Sequence, residues 1–152
     1  MKLKVLAAAA AVVLGSWTTL EAIAQQNPAD NQVRQRQGVM LLQGKYFGPL
    51  AGMAAGKVPY DATVAARNAG FLDALSQMPW DAFTPESQSS QMKTRALPEI
   101  RKDQSGFKAA QDQLRGAVQK LNADAKNEGA FKAAAGDVGK ACNGCHDKFR
   151  SK

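Results

Sequence analysis

Histidine and cysteine are scarce in this chain of 152 residues, which contains one histidine and two cysteines. A single histidine excludes a cofactor held by two imidazoles and any histidine-rich metal site. Two cysteines exclude a four-cysteine zinc or iron–sulfur site within one chain, and they exclude a small scaffold held together by several disulfides. Few kinds of metal or cofactor site therefore remain open.

Strand patterns are also missing, since no window sustains a period-two alternation of β-branched residues. Four segments instead show the 3–4 spacing of amphipathic helices. They run from about Pro28 to Ala55, from Asp61 to Pro79, from Asp103 onward and from about Asn127 onward. Their stripes are rich in alanine and are expected to face inward at Val33, Met40, Tyr46, Phe47 and Leu50; Val64, Ala65, Asn68, Leu72 and Leu75; Phe107, Ala110, Leu114, Ala117, Val118 and Leu121; and Phe131, Ala135, Val138, Cys142, Cys145 and Phe149.

These four segments predict an all-α fold in one domain. Two short loops and one long proline-containing crossover, Met78–Lys102, favour an antiparallel four-helix bundle with the crossover between helices two and three. Because the stripes contain few large residues, a tightly packed core requires something bulky and flat to fill the remaining space.

Residues 1–24 have the pattern of a secretory signal peptide. Two lysines in the first four residues precede the apolar run 5–14 (VLAAAAAVVL) and the small-x-small sequence Ala22-Ile23-Ala24. The run is shorter than the ~20 residues of a spanning helix, which disfavours the alternative of an uncleaved membrane anchor. We expect a mature domain over residues 25–152 in a bacterial periplasm, where the net charge falls from +7 to +6 on loss of the leader.

The fourth segment contains Cys142-Asn143-Gly144-Cys145-His146, a C-x-x-C-H motif typical of covalent haem attachment. On a helix, Cys142 and Cys145 share one face, so both thiols can bond to the vinyl groups of one haem. His146 follows close enough to that face to coordinate the iron. The motif predicts one covalent haem c.

Three other interpretations of two nearby cysteines are less well supported. A thioredoxin-like pair is expected after a strand, and no strand is predicted here. A structural zinc needs a fourth ligand, which the chain does not supply. A disulfide between helical residues three apart has poor geometry.

With its C-x-x-C-H motif near the C-terminus of a predicted helical bundle, the chain resembles the cytochrome c′ family of periplasmic haem proteins. The resemblance covers Gln32–Lys152 and rests on Arg36–Met40, Tyr46–Gly48, Pro79–Phe83, Leu97–Ile100 and Cys142–Arg150. It implies that His146 is the proximal iron ligand and that Cys142 and Cys145 form the two thioethers.

The resemblance implies further roles around the haem. Arg36 and Gln37 match residues at the haem edge, where Arg36 would pair with a propionate, the alternative being a solvated surface charge. Met40 matches the residue over the distal face, and Phe83 matches an aromatic near the pocket.

Two more matches lie in the crossover and at the C-terminus. Arg150, four residues after His146, matches a basic residue that can bond an anion or diatomic on the proximal side, the alternative being a terminal cation favoured by the helix dipole. Thr94 lies in a stretch that resembles the one covering the haem edge.

Iron ligation decides between two expected functions. If the iron is five-coordinate and high-spin with His146 alone, Met40 is a steric plug and the vacant position binds diatomics such as NO and CO. If the Met40 sulfur ligates, the centre is low-spin and suited to electron transfer. The sequence Pro79–Phe83 favours the first. A haem peroxidase is disfavoured because no distal histidine is available, so no enzymatic activity is expected. A haem-free helical bundle that binds metal or protein is the remaining alternative.

Expected partners follow from the charge and the resemblance. Scattered lysines without interleaved aromatics are typical of a solvated surface, so no nucleic acid is expected, and acidic redox partners are compatible with the basic balance. The resemblance implies a homodimer through the first two helices. Gly38, Gly44, Gly48 and Gly52 permit close helix approach there, or alternatively make room for the haem.

Overall fold

The computed structural model describes residues 27–152, so the predicted signal peptide at residues 1–24 lies outside the described residues. Those residues form five helices: α1 (Pro28–Ala54), α2 (Ala62–Ser76), the single turn α3 (Glu99–Lys102), α4 (Gln104–Asp124) and α5 (Glu128–Phe149). The four long ones confirm the predicted all-α bundle and its long crossover. None of the described helices combines the length and apolarity that crossing a membrane requires.

Each long helix begins immediately after an Asn or Asp whose side chain accepts a hydrogen bond from a first-turn amide. These N-caps are Asn27, Asp61, Asp103 and Asn127. The Asp103 cap depends on a glycine, because a Cβ at Gly106 would lie 2.1 Å from its carboxylate oxygen. Capping thus fixes where the chain leaves each loop and enters the bundle.

Helices α1 and α4 each pack against both α2 and α5, which closes the bundle. We call the end that carries the α1–α2 and α4–α5 connections the closed end. There, Leu50, Leu121 and Phe131 are fully buried. The Tyr60 hydroxyl donates a 2.7 Å hydrogen bond to the Ala125 carbonyl, and its ring centroid lies 5.3 Å from that of Phe131.

The opposite, open end carries the crossover and the C-terminus. The crossover contains two short 3-10 turns, Trp80–Ala82 and Glu86–Ser89, and the turn α3, none of which the sequence predicted. Side chains of α1 hold it in place through five hydrogen bonds: Ser90 to Asp30, Thr84 to Gln32, Arg36 to Ser87, Gln37 to the Lys93 carbonyl and Gln43 to the Met78 carbonyl. Polar contacts, rather than apolar packing alone, therefore fix this segment over α1.

Several residues predicted to face the core are only half-buried. Val33 and Leu50 are buried as predicted, whereas Met40 and Phe47 face a cavity at the open end. Tyr46 instead lies against Phe71 near the surface, with ring centroids 4.8 Å apart. The 3–4 spacing identified the correct helix face but did not reveal that part of this face borders empty space.

Candidate cofactor site

A cavity of about 860 Å³ occupies the open end, between the four long helices and the crossover. Its volume lies in the range of ligand pockets, roughly 300–1,000 Å³. All nine residues that the sequence analysis assigned to a site line this cavity: Arg36, Gln37, Met40, Phe83, Thr94, Cys142, Cys145, His146 and Arg150. Residues more than a hundred positions apart in the sequence thus line the same cavity.

The C-x-x-C-H motif lies in the last two turns of α5. Cys142 and Cys145 are half-buried free thiols, and burial raises the pKa of both. Burial lowers the pKa of His146, with further contributions from the Arg150 and Arg95 charges. A lowered pKa favours the neutral imidazole, which is the form that ligates a metal.

Arg150 contacts this imidazole directly. Its Nη1 atom lies 3.0 Å from Nδ1 of His146. A guanidinium has donors only, so Nδ1 must accept in this contact and the ring proton is assigned to Nε2. Arg150 is therefore positioned to set which ring nitrogen carries the proton.

Arg36 is a buried cation without a carboxylate partner in the described chain. Its side chain donates a 3.1 Å hydrogen bond to the Ser87 hydroxyl, and the guanidinium carbon lies 4.6 Å from the centre of the Phe83 ring. Burial lowers the pKa of Arg36, which reports the cost of holding this charge away from water. An anion beside Arg36 would offset that cost.

The other predicted residues line the cavity from α1 and the crossover. Gln37 and Thr94 are exposed at its mouth, where the Thr94 hydroxyl accepts a 3.2 Å hydrogen bond from the Ala96 amide. Met40 is half-buried on α1, and Phe83 is half-buried in the crossover. The structure thus brings the predicted residues together, although their roles remain predictions.

Phe83 apart, sequence reasoning assigned no site role to the aromatic wall of the cavity, and it assigned none to Arg95. Phe107 lies at the centre of this wall, with its ring centroid 5.0 to 6.0 Å from those of Phe83, Phe149 and Trp80. The helical stripes marked Phe107 and Phe149 as core residues, so their inward direction was visible. Arg95 lies in the stretch Thr94–Pro98 that resembles the one covering the haem edge, but the resemblance gave Arg95 no role of its own, because its position depends on how the crossover meets the C-terminus.

The sequence model for the family described as Cytochrome C′ matches residues 31–150. The chain belongs to the cytochrome c′ family. Cytochrome c′ from Rubrivivax gelatinosus is 45% identical over 130 residues, covering 84% of this chain and 98% of that protein. Its crystal structure gives a TM-score of 0.77 at 43% identity, covering 83% and 98% of the two chains. A nitric oxide complex of a cytochrome c′ variant from Alcaligenes xylosoxidans gives 0.75 at 35% identity, covering 84% and 98%.

Haem c, covalently bound, is the cofactor of cytochrome c′ proteins, and the cavity of this chain fits it. Two thiols and an imidazole lie on one wall, as the attachment chemistry requires. The lining is largely apolar. It contains the arginines Arg36, Arg95 and Arg150 but no Asp or Glu, which suits a flat apolar ring with two carboxylates.

The alternative interpretations of the cysteine pair find no support in residues 27–152. The two cysteines form no disulfide, and no strand precedes them in that range. No three His, Cys, Asp or Glu side chains converge there in a way that could hold a metal ion. The family therefore agrees with the motif: the cysteine pair serves a haem protein.

Proposed function

We propose that this protein is a periplasmic cytochrome whose iron is five-coordinate and high-spin, with His146 as the proximal ligand. It binds small diatomics such as NO and CO, and it is able to take part in electron transfer. The supporting observation is the composition of the cavity lining. Apart from the attachment motif and Met40, this lining offers no sulfur, imidazole or carboxylate that could ligate iron.

The remaining polar groups near the α1 and α2 walls are engaged elsewhere. The Gln43 amide donates to the Leu75 carbonyl at 2.8 Å and to the Met78 carbonyl at 3.3 Å. The Ser76 hydroxyl donates to the Asp73 carbonyl at 2.8 Å. A vacant iron position bordered by such walls suits NO and CO, which need no hydrogen-bond donor, better than it suits bound dioxygen or peroxide.

Each residue of the site has one proposed task. Cys142 and Cys145 form the thioethers, and His146 supplies the axial nitrogen. Arg36 pairs with a propionate, while the exposed side chains Gln37 and Thr94, with Phe83, border the haem edge. When bound, the haem supplies the redox-active iron that takes up the diatomic.

Ligation by His146 has a consequence for Arg150. Since Nδ1 faces Arg150, Nε2 is the nitrogen left for a metal, and its proton then belongs on Nδ1. An Nδ1–H is a donor and no longer pairs with a guanidinium. With the imidazole bound in this way, Arg150 would be free to hydrogen-bond an anion or a diatomic on the proximal side.

The second candidate function is a six-coordinate electron carrier with Met40 as the other axial ligand. The observation that favours it is that, of the methionines in residues 27–152, Met40 alone lines the cavity. Visible spectra of the ferric and ferrous holo-protein separate the two: broad high-spin bands support the open iron, and sharp split bands place the Met40 sulfur on it.

Substitution of Met40 extends this test. If Met40 is a plug, Met40→Ala leaves the high-spin spectrum unchanged and speeds CO binding to the ferrous protein, because the distal approach opens. The matched control is Met92→Ala, since Met92 is also half-buried but does not line the cavity. An unchanged CO on-rate in Met40→Ala would show that Met40 does not control access.

A dedicated enzymatic function is not part of the proposal. A haem peroxidase needs a distal acid–base group, and the chain's one histidine is assigned to the iron. Assaying the holo-protein for peroxide-dependent oxidation of a dye checks this point. Turnover that saturates with peroxide and survives Met40→Ala would contradict it.

The periplasmic location rests on the signal-peptide pattern of residues 1–24. Fractionation of a host with c-type maturation, followed by mass spectrometry of the purified chain, tests it directly. We expect a periplasmic protein beginning near residue 25 and carrying one haem. A cytoplasmic, haem-free product with an intact leader would contradict the location.

We also propose that two copies pair through α1 and α2. Leu42 is 40% exposed and Phe71 is 47% exposed, and Tyr46 lies between them on the same surface. No atom lies within 4 Å of a Cβ at Gly38, which lies one turn before Leu42, so a second copy can approach this face closely. Sedimentation should give a dimer that Phe71→Arg converts to a monomer with an unchanged haem spectrum.

A further inference from the structure

The last residues of the chain pair with the crossover. Ala96 and Arg150 form an isolated antiparallel bridge, flanked by hydrogen bonds from the Leu97 amide to the Phe149 carbonyl at 3.0 Å and from the Ser151 amide to the Arg95 carbonyl at 2.8 Å. The Arg95 side chain adds a third bond, since its Nε donates to the Ser151 carbonyl at 3.0 Å. Arg95 is thus fastened to the C-terminus through both its backbone and its side chain.

This pairing places a second guanidinium beside the histidine end of α5. Arg95 and Arg150 both line the cavity together with His146. Arg95 forms no ion pair with a carboxylate in residues 27–152. Its positive charge is therefore not cancelled by a direct partner.

We propose that Arg95 is a positioning residue for the redox state of the haem, holding a fixed positive charge near the proximal ligand and thereby stabilising the ferrous form. Reduction adds one electron from an external one-electron donor and lowers the net charge of the haem by one, with no bond made or broken in the protein. A nearby cation interacts less unfavourably with the ferrous centre than with the ferric centre. The inference rests on haem ligation by His146 but not on whether the iron has five or six ligands.

The test is a potentiometric titration of the holo-protein, with dithionite as the electron donor and the visible spectrum as the readout. At the ambient potential that half-reduces the wild type, Arg95→Gln should raise the ferric-to-ferrous ratio about threefold, which is about 28 mV at 59 mV per tenfold for a one-electron couple. Arg95→Lys keeps the charge and should stay close to the wild type.

The control removes the same charge from the same crossover at a different place. Like Arg95, Arg101 is exposed, but it donates to Gln88 and lines a smaller neighbouring cavity rather than the main one. Arg101→Gln should move the potential less than Arg95→Gln does. The difference between wild type and Arg95→Gln should also shrink in 1 M KCl, where the Debye length falls to ~3 Å.

Two outcomes would overturn the proposal. Equal potentials in wild type and Arg95→Gln would mean that the charge does not act on the iron. Equal shifts in Arg95→Gln and Arg95→Lys would mean that the Nε bond to Ser151, rather than the charge, matters. The same spectra report the spin state, so failure of the proposed five-coordinate iron is seen separately from failure of this inference.

Discussion

The two ends of the bundle use the same four helices in different ways. At the closed end, the side chains of Leu50, Leu121 and Phe131 are fully buried between the helices. At the open end, the helices surround a cavity of about 860 Å³, and a wall of aromatic rings stands on one side of it. One end is completed by its own residues, whereas the other is shaped for a group that the chain does not encode.

The stabilising contacts differ accordingly. The closed end is held mainly by burial of apolar surface. The open end adds polar contacts between distant elements, such as those from Arg36 to Ser87 and from Gln43 to the end of α2. Because these contacts hold the cavity open rather than fill it, the open end should depend on the haem for its stability, and the closed end should not.

The largest effect on the open end is expected from removal of the axial ligand. His146→Ala should abolish normal haem ligation, since no second imidazole can replace it, and Cys142→Ala or Cys145→Ala should abolish normal attachment. Haem content per chain and the visible spectrum measure the effect. Lys140→Ala, an exposed position on the same helix, is the control. A normal spectrum in His146→Ala would reject the assignment of the site.

Truncating a core residue of the closed end should have the opposite result, a loss of stability with no change in haem binding. Phe131 has no exposed surface, so Phe131→Ala should lower the free energy of unfolding by about 3–5 kcal/mol. The haem spectrum should not change, because Phe131 does not line the cavity. Chemical denaturation of the holo-protein, with Phe131→Leu as a milder variant, measures this. A changed spectrum would show that the two ends are coupled more tightly than the contacts indicate.

The sequence predicted the closed end and the attachment motif more completely than the rest of the open end. Periodic apolar residues and N-caps suffice to place Leu121 and Phe131 in the core, because helix geometry alone determines which face they share. Arg95 could not be placed in this way. Its contact with Ser151 joins residues 56 positions apart, and it exists only once the crossover has folded over α1.

Substitution of Arg36 tests whether the stability of the open end depends on the proposed pair with a haem propionate. Arg36→Gln removes the hydrogen bond to Ser87, the contact with Phe83 and the proposed propionate pair, which should cost the holo-protein about 1–3 kcal/mol. Arg34→Gln removes the same charge two residues earlier, at an exposed position, and should cost much less. Denaturant unfolding compares them, and equal small losses would place Arg36 outside the haem contacts.

The smallest expected effect on stability comes from an ion pair that joins two elements of the open end. Lys148 of α5 donates to the carboxylate of Asp103, the residue that caps α4. The bond from Lys148, followed by those from the Gly106 amide and the Ser105 hydroxyl, lowers the pKa of Asp103 from 3.8 to about 2. A carboxyl whose pKa is lower in the folded state stabilises the fold above its unfolded pKa, and this contribution is lost as the pH falls from about 4 to about 2.

Asp103→Asn should therefore lower the Tm slightly at pH 7, and the difference from wild type should vanish near pH 2. Thermal melts followed by circular dichroism across this pH range measure that difference. Asp112→Asn is the matched control, because Asp112 also carries a lowered pKa but pairs only within α4, with Lys108 and Arg115. If the Asp103 contact joins the α5 terminus to α4, its loss should affect the Tm more than loss of the intrahelical pair. Equal effects would show that the open end gains nothing from this link, and that the aromatic wall and the haem hold it together.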